Sequence, residues 1–458
     1  MRSRTSTMAL GAWLLLGAAA AAQPTSSDQG FVMALTGDSI ITRKLSVYQE
    51  PEFLRMIELL READVAFTNV EMLFHDFESF PMHQSGGTYM RAEPALAREL
   101  SWAGFDLGSM ANNHTGDYGV EAMRLTQRHV AEAGIVAAGT GESLAEALEA
   151  KFLETAEARV ALISVSSTFP DHARAGKSRG DTLPRPGLNP LRFSTTYVVT
   201  RERLEDLRQL REELGFDPPR DREEPEDELR LLRHRFVVGE RPGVRTEARE
   251  EDLKEIGSVV ANASRLADYT ILAIHGHESH GKRSVPAQFL VDFARAMIEA
   301  GADVVVGHGP HVLRGIEIHK GKPIFYSLGD FLFQNDTLLR LPHENYERYD
   351  LGPEAHVADF NDARYDFDKR GFPANPEIWE SVVARLVWSQ GQLAALELHP
   401  ISLGFGKPRT VRGRPLLADP ELARKIVGDL QQRSKDFGTT IDYRDGIGVV
   451  RLPAGGTH

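Results

Sequence analysis

The chain of 458 residues contains no cysteine. It therefore has neither a disulfide framework nor a lipid-accepting thiol, and any metal it binds must be held by nitrogen and oxygen ligands. Excess positive charge is also missing: 53 Lys and Arg against 66 Asp and Glu give a formal net charge of -13. A field of that sign excludes a nucleic-acid backbone as the main partner, because releasing phosphate counterions needs a broad basic face. A local cationic pocket remains compatible with it. Beyond the N-terminus no apolar run approaches the ~20 residues that span a bilayer. What is present is ordinary for a folded protein, with 41% hydrophobic and 26% charged residues. The length exceeds the usual single domain by enough to expect one large domain with additions.

The first residues, MRSRTSTMALGAWLLLGAAAAAQPTSS, place Arg2 and Arg4 before an apolar run and end on Ala20, Ala21 and Ala22. This is the layout of a secretory signal peptide over 1–22, cleaved after Ala22. A retained anchor is the alternative, but the run is short for one. The expected mature chain is secreted or periplasmic, without a transmembrane segment.

After the signal, strand and helix alternate. FVMALTGD, DVAFTNVE, FDLGSMANNH, RVALISVSSTF, YTILAIHGHESH and ADVVVGHGPH read as strands with their following loops. PEFLRMIELLREA, EPALARELSWAG, VEAMRLTQRHVAEAG and PAQFLVDFARAMIEAG carry apolar residues at helical spacing. Such alternation predicts an α/β fold with a largely parallel sheet, whose strand C-terminal ends form the ligand crevice. Hairpins are expected around Lys320-Gly321-Lys322 and Gln390-Gly391. From about 170 to 250 the rhythm breaks into a charged insertion. RERLEDLRQLREELG, with leucines at 204, 207, 210 and 214, predicts a helix, and DPPRDREEPEDELR a solvated loop. Residues 334–376 are expected to form a long loop region. The main domain is assigned to 23–403, with a C-terminal extension over 404–458.

Polar side chains gather at five strand ends. They are Asp38; Asn69 and Glu71; Asn112, Asn113 and His114; His275, His277, Glu278 and His280; and His308 and His311. Taken singly, each has a bland explanation as a cap, a turn former or a hydrogen-bonded bystander. Converging on one rim, they make an arrangement that a divalent metal would neutralise, since carboxylates, amides and imidazoles packed without one would repel or stay undersolvated. The mixed N/O set suits one or two ions of manganese, zinc or iron better than calcium. Such a site can activate water while a nearby histidine protonates a leaving group.

TGD, TNVE, ANNHTGDYG, HGHE, GHGPHV and IFYSLGDFLF, in this order over residues 31 to 335, resemble the CapA family of poly-γ-glutamate capsule biosynthesis proteins. The resemblance implies a two-sheet α/β sandwich of the calcineurin-like metallophosphoesterase type, carrying the charged insertion. It implies metal ligands at Asp38, Glu71 (the bridging carboxylate), Asn113, His275, His308 and His311, with His114 as catalytic acid. Asn69, Asn112 and Arg314 are assigned to substrate. Three departures stand out. The position two after the first Asp, a histidine in the phosphoesterase pattern, is Ile40. His308 and His311 are three apart where that pattern has two. Asp330 replaces the Asn of the usual YSLGNF, and either adds a carboxylate to the rim or, the preferred reading, caps the hairpin.

The first expectation for function is a metal-dependent hydrolase acting on an amide-linked anionic polymer such as poly-γ-glutamate, or a related peptide. Arg43, Lys44, Lys282, Arg283 and Arg314 are its candidate cationic contacts. Capsule synthase proteins are its candidate partners. The alternatives are a non-enzymatic capsule assembly factor and a phosphoesterase on a phosphate ester; the missing histidine at Ile40 counts against the latter.

Overall fold

The computed structural model describes residues 30–217 and 224–453, so the signal-like stretch 1–22 lies outside the described residues. Ten strands are used below: β1 Phe31–Ile40, β2 Val65–Val70, β3 Leu107–Ser109, β4 Val136–Ala138, β5 Arg159–Ser166, β6 Tyr269–His275, β7 Val304–His308, β8 Asp330–Phe333, β9 Glu380–Ser389 and β10 Gln392–Ser402.

The larger sheet has ten strands, built around the parallel run β1, β2, β3, β4. Its central strand β1 changes partner midway. Phe31 to Leu35 pair antiparallel with β9, and Asp38 to Ile40 pair parallel with β8. Gly37 stands at this switch, and a Cβ there would lie 1.8 Å from the Gly329 carbonyl oxygen. Glycine is required because two backbones meet, and the Asp38 N–H donates to that same carbonyl at 3.0 Å. The second sheet has six strands, with β5, β6, β7 and Lys322–Phe325 running parallel.

The architecture is thus mixed α/β, as the alternating pattern predicts, but the parallel strands are divided between two mixed sheets. Their apolar residues share one core. Met33, Leu35 and Phe67 from the first sheet and Leu162, Ile271, Ala273, Val304 and Val306 from the second belong to a single buried cluster. Helices Pro51–Arg61 and Ala97–Ala103 bury their apolar residues in a second cluster, helices Glu250–Ala263 and Gln288–Ala300 in a third. A substitution such as Phe67→Ala, which empties the shared core, would cost about 3–5 kcal/mol.

Three sequence expectations change. The insertion folds: helix Arg201–Glu213 forms as its leucine spacing predicts, and it packs Leu204 against Leu229 and Leu231 of a four-stranded sheet. The stretch expected to be a solvated loop includes strand Glu228–Leu231, while 218–223 lie outside the described residues. Residues 334–376 contain helices His343–Glu347 and Val357–Tyr365, the second opened by a reciprocal cap between His356 and Asp359. Finally, the C-terminal stretch does not stand apart. Strands Ile441–Arg444 and Ile447–Val450 complete the larger sheet, and helix Pro420–Ser434 buries Ile426, Val427 and Leu430 in the shared core.

Candidate metal centre

Parallel pairing aligns the strand ends that carry the polar residues. Asp38 registers with Asn69 on one side and Asp330 on the other, and Asn69 registers with Ser109, just before the Asn112–His114 loop. In the second sheet His275 and His308 are direct neighbours. Residues far apart in sequence therefore meet at one end of the two sheets.

Asp38, fully buried, is the hub. Its Oδ1 accepts from Asn69 Nδ2 at 2.7 Å and lies 3.6 Å from Nδ1 of both His275 and His308. Its Oδ2 accepts from the Gly309 N–H at 2.9 Å and lies 3.9 Å from His311 Nδ1. The Nδ1 atoms of His275 and His308 are 3.0 Å apart, as are the Nε2 atoms of His275 and His277. Glu71 Oε1 lies 3.7 Å from His114 Nε2 and 4.0 Å from His275 Nε2. His311 Nδ1 lies 2.8 Å from Asp330 Oδ1. Among the described residues, three sets could hold a cation: Asp38, His275 and His308; Glu71, His275 and His277; and Asp38, His311 and Asp330.

The donor set can be tested against its own hydrogen bonding. Among the described residues, thirteen buried side-chain N or O atoms lack a partner, and five of them are here: both oxygens of Glu71, Asn113 Oδ1, His308 Nε2 and Asp330 Oδ2. Four of those five are oxygens with no donor, where an unmet buried polar group costs about 1–3 kcal/mol. Electrostatics agree. Burial, then the charges of Asp38 and Asp330, push Glu71 well above the usual carboxylate range. Burial pushes Asp330 up to about 6. Burial also works to raise Asp38, but the nearby His275 and the charges of His275, His308 and His311 hold it low. Burial pushes His308 down to about 3, and it drives His277, beside His275, well below the ordinary histidine value. Protonation-averse imidazoles beside crowded carboxylates are what a divalent cation needs. The residues fit a metal.

Above this floor, His114 is aimed by Asp117. His114 Nδ1 lies 2.7 Å from Asp117 Oδ2, which leaves Nε2 toward Glu71 and the cavity. Asp117 is itself fixed, because Oδ1 accepts the Gly86 N–H and Oδ2 the Met90 N–H, each at 2.8 Å. Gly86 lets this strap lie on the loop: a Cβ there would stand 2.3 Å from the Asn113 carbonyl oxygen. Asn113 Nδ2 donates to the Gly86 carbonyl at 3.0 Å, leaving its Oδ1 unpartnered. Gly86, Met90, Asn113 and His114 line a cavity of about 390 Å³, closed by His277, His311, Phe333 and Phe372, with Arg283 and Arg364 at its wall.

Asp38, Glu71, Asn113, His114, His275, His308 and His311 thus come together. Three residues assigned to substrate do not face it. Asn69 is buried and spends its amide on Asp38. Asn112 donates to the Val70 carbonyl at 2.9 Å and accepts the His114 N–H at 3.1 Å, so it shapes the loop. Arg314 is fully buried and donates to the carbonyls of Arg283, Gly276, His277 and Glu278, which makes it a clamp on the His277 loop. Of the other expected cations, Arg283 reaches the cavity, whereas Arg43 and Lys44 line a separate hollow. The hairpin-cap reading of Asp330 also changes: its carboxylate turns to His311. Sequence reasoning left Asp117 and His277 without a role and missed Arg364. The i,i+3 spacing of His114 and Asp117 was the available signal for the first.

Comparison with known proteins gives concordant results. A Sinorhizobium fredii protein, y4sH, is 40% identical over 441 residues, covering 93% of this chain and 94% of its own. The capsule biosynthesis protein CapA of Bacillus anthracis is 23% identical over 328 residues, covering 70% of this chain and 64% of its own. The solved structure of Haemophilus influenzae NAD nucleotidase (NadN) overlaps 88% of this chain at 10% identity and a TM-score of 0.28, too loose a likeness to bear on fold or function. The chain spans 56% of that protein's length. Residues 32–335 match the family described as bacterial capsule synthesis protein PGA_cap, and the chain belongs to that family.

Proposed function

We propose that this protein is a metal-dependent hydrolase of capsule or envelope polymer biosynthesis, exported by its N-terminal signal and acting on an amide-linked anionic polymer such as poly-γ-glutamate, or on a related peptide. One observation carries the reading: four buried oxygens and an imidazole nitrogen without partners lie in one cluster of carboxylates and histidines, and Asn113, His114, His277 and His311 of that cluster line a cavity whose wall holds two arginines. Membership of a capsule synthesis family supports the pathway. Two sheets sharing one core support the calcineurin-like two-sheet arrangement.

A divalent manganese, zinc or iron ion would supply Lewis acidity and an activated water. Asp38, His275 and His308 would hold it, with Glu71, Asn113, His277 and His311 around them. Arg283 and Arg364 bind the free α-carboxylates of the γ-linked polymer, and the negative remainder of the surface keeps that contact local. His114, held by Asp117 through Nδ1, carries the proton at Nε2 that the leaving amine takes. Phe333 and Phe372 limit water in the cavity. Among the described residues no helix is long and apolar enough to cross a membrane. Contact with a capsule synthase would then be made from outside the bilayer.

The test uses the mature chain with Mn(II) or Zn(II) and poly-γ-glutamate, read by size-exclusion chromatography. Shortening of the polymer that a chelator abolishes is expected. An unchanged polymer overturns the reading. Cleavage of a generic phosphodiester instead would assign the site to phosphate esters, and inertness toward both would leave an assembly role.

A further inference from the structure

Asp330 is the feature that neither the cavity nor the proton relay uses. It opens β8 directly opposite Asp38, and it is fully buried. A capping role would require backbone N–H groups on its carboxylate, yet the hydrogen bond found there is to a side chain, His311 Nδ1 at 2.8 Å. That contact uses Oδ1. Oδ2 is buried without any partner. An ion pair with His311 therefore accounts for half of the carboxylate and leaves the other half a liability.

We infer that Asp330 is a metal ligand, and that Asp38, His311 and Asp330 form a second cation site sharing Asp38 with the set of His275 and His308. This rests on reading the centre as metal-binding. The two oxygens of Asp38 face different groups: Oδ1 lies 3.6 Å from both His275 and His308, while Oδ2 lies 3.9 Å from His311. Ligand atoms bonded at about 2.1 Å to one tetrahedral ion stand roughly 3.4 Å apart, so each set is close to the required spacing. The first set spans 3.0 to 3.6 Å and the second includes 2.8 and 3.9 Å. A carboxylate that turns one oxygen to each of two donor sets is a bridge.

The surroundings hold His311 for this role. Its φ of 56° is a left-handed conformation, uncommon outside glycine. The rings of Phe333 and Phe372 lie 5.3 and 5.4 Å from its imidazole. Two oxygens and one nitrogen suit manganese, iron or zinc.

Asp330→Asn keeps the shape and removes the charge. The full mature chain, loaded with Mn(II), dialysed and analysed by plasma mass spectrometry and titration calorimetry, is expected to hold two equivalents. Asp330→Asn should hold one, with binding of the lost ion weakened at least tenfold, and His308→Ala should lose the other ion. Electron paramagnetic resonance of the wild-type chain at two equivalents should give an exchange-coupled spectrum, a readout that does not depend on a variant folding. Unchanged stoichiometry and affinity in Asp330→Asn overturn the inference, as does an uncoupled spectrum at two equivalents. A wild-type chain that takes up one ion overturns the second site alone; one that takes up none overturns the metal reading as well.

Discussion

His114 Nδ1 lies 2.7 Å from Asp117 Oδ2, and the same carboxylate accepts two backbone N–H groups from the strap at Gly86 and Met90. Both residues are buried, so the contact fixes the ring and leaves Nε2 on the cavity side. Asp117→Asn has one acceptor oxygen where three donors converge, and its amide must face at least one of them. A loss of about 1–3 kcal/mol in stability is expected, from urea unfolding. Turnover should fall on the order of 10²–10⁴-fold while bound metal is retained. Loss of metal with turnover intact would contradict the assignment of His114 as proton donor.

Gly37 and Gly329 make a second relationship that decides a mutation. A methyl group at position 37 has no room, with a carbonyl oxygen 1.8 Å from where its carbon would lie. Gly37→Ala must separate β1 from β8 and with them Asp38 from Asp330. We expect a loss of more than about 4 kcal/mol, in the range reserved for backbone and core disruption. Gly134→Ala is the control: it has open space but a positive φ, so about 1 kcal/mol is expected. Thermal unfolding of the two variants should separate them clearly.

Much of the fold and of the centre is legible in the amino-acid order alone. The strands of the first half, the helix of the insertion and both hairpins follow from periodicity and turn chemistry, because burial on one face leaves a regular trace. Polar residues at the ends of apolar strands are legible for the same reason, and the fold brings Asp38, Glu71, Asn113, His114, His275, His308 and His311 together. Division of the strands between two sheets is not legible, since a strand buried on both faces reads alike in either. The insertion's small sheet is hidden by its charge: His234–Val238 and Gly243–Ala248 keep much of their surface exposed, so no apolar alternation marks them. Arg314 is misplaced by its sequence context because an arginine after a strand end looks the same whether its donors meet solvent or four carbonyls. Arg364 lies on a helix with almost no apolar face, which periodicity cannot find.

The contrast between Arg314 and Arg283 is measurable. Removing the buried Arg314 leaves the carbonyls of Arg283, Gly276 and His277 without their donor, and Arg314→Met should cost about 3–5 kcal/mol and release the His277 loop. Arg314→Lys should fare little better, because an ammonium cannot reproduce the planar fork. Arg283→Ala, at the exposed wall of the cavity, should leave the melting temperature within about 2 °C and raise KM for the anionic polymer. If Arg283→Ala left KM unchanged, the arginine wall would not be the contact for the anionic chain.

The raised carboxylates of the centre set how cation binding depends on pH. Burial and Asp38 raise Glu71 well above its ordinary value, and burial raises Asp330 to about 6. In the metal-free protein both therefore bind protons in the folded state that the unfolded chain releases near pH 4. Their contribution to stability is fully present below that pH and is lost as pH rises through the folded values, for Asp330 by about pH 6, while the depressed His275, His277 and His308 gain stability over the same rise. A divalent ion requires the ionised carboxylates and neutral imidazoles, and it restores over that rise what deprotonation removes. The gain in melting temperature on adding excess Mn(II) should accordingly be small at pH 5 and grow toward pH 8. Differential scanning calorimetry of chelator-treated and metal-loaded protein across that range measures it. A gain that is constant or larger at pH 5 would mean that Glu71 and Asp330 are not the groups the cation ionises.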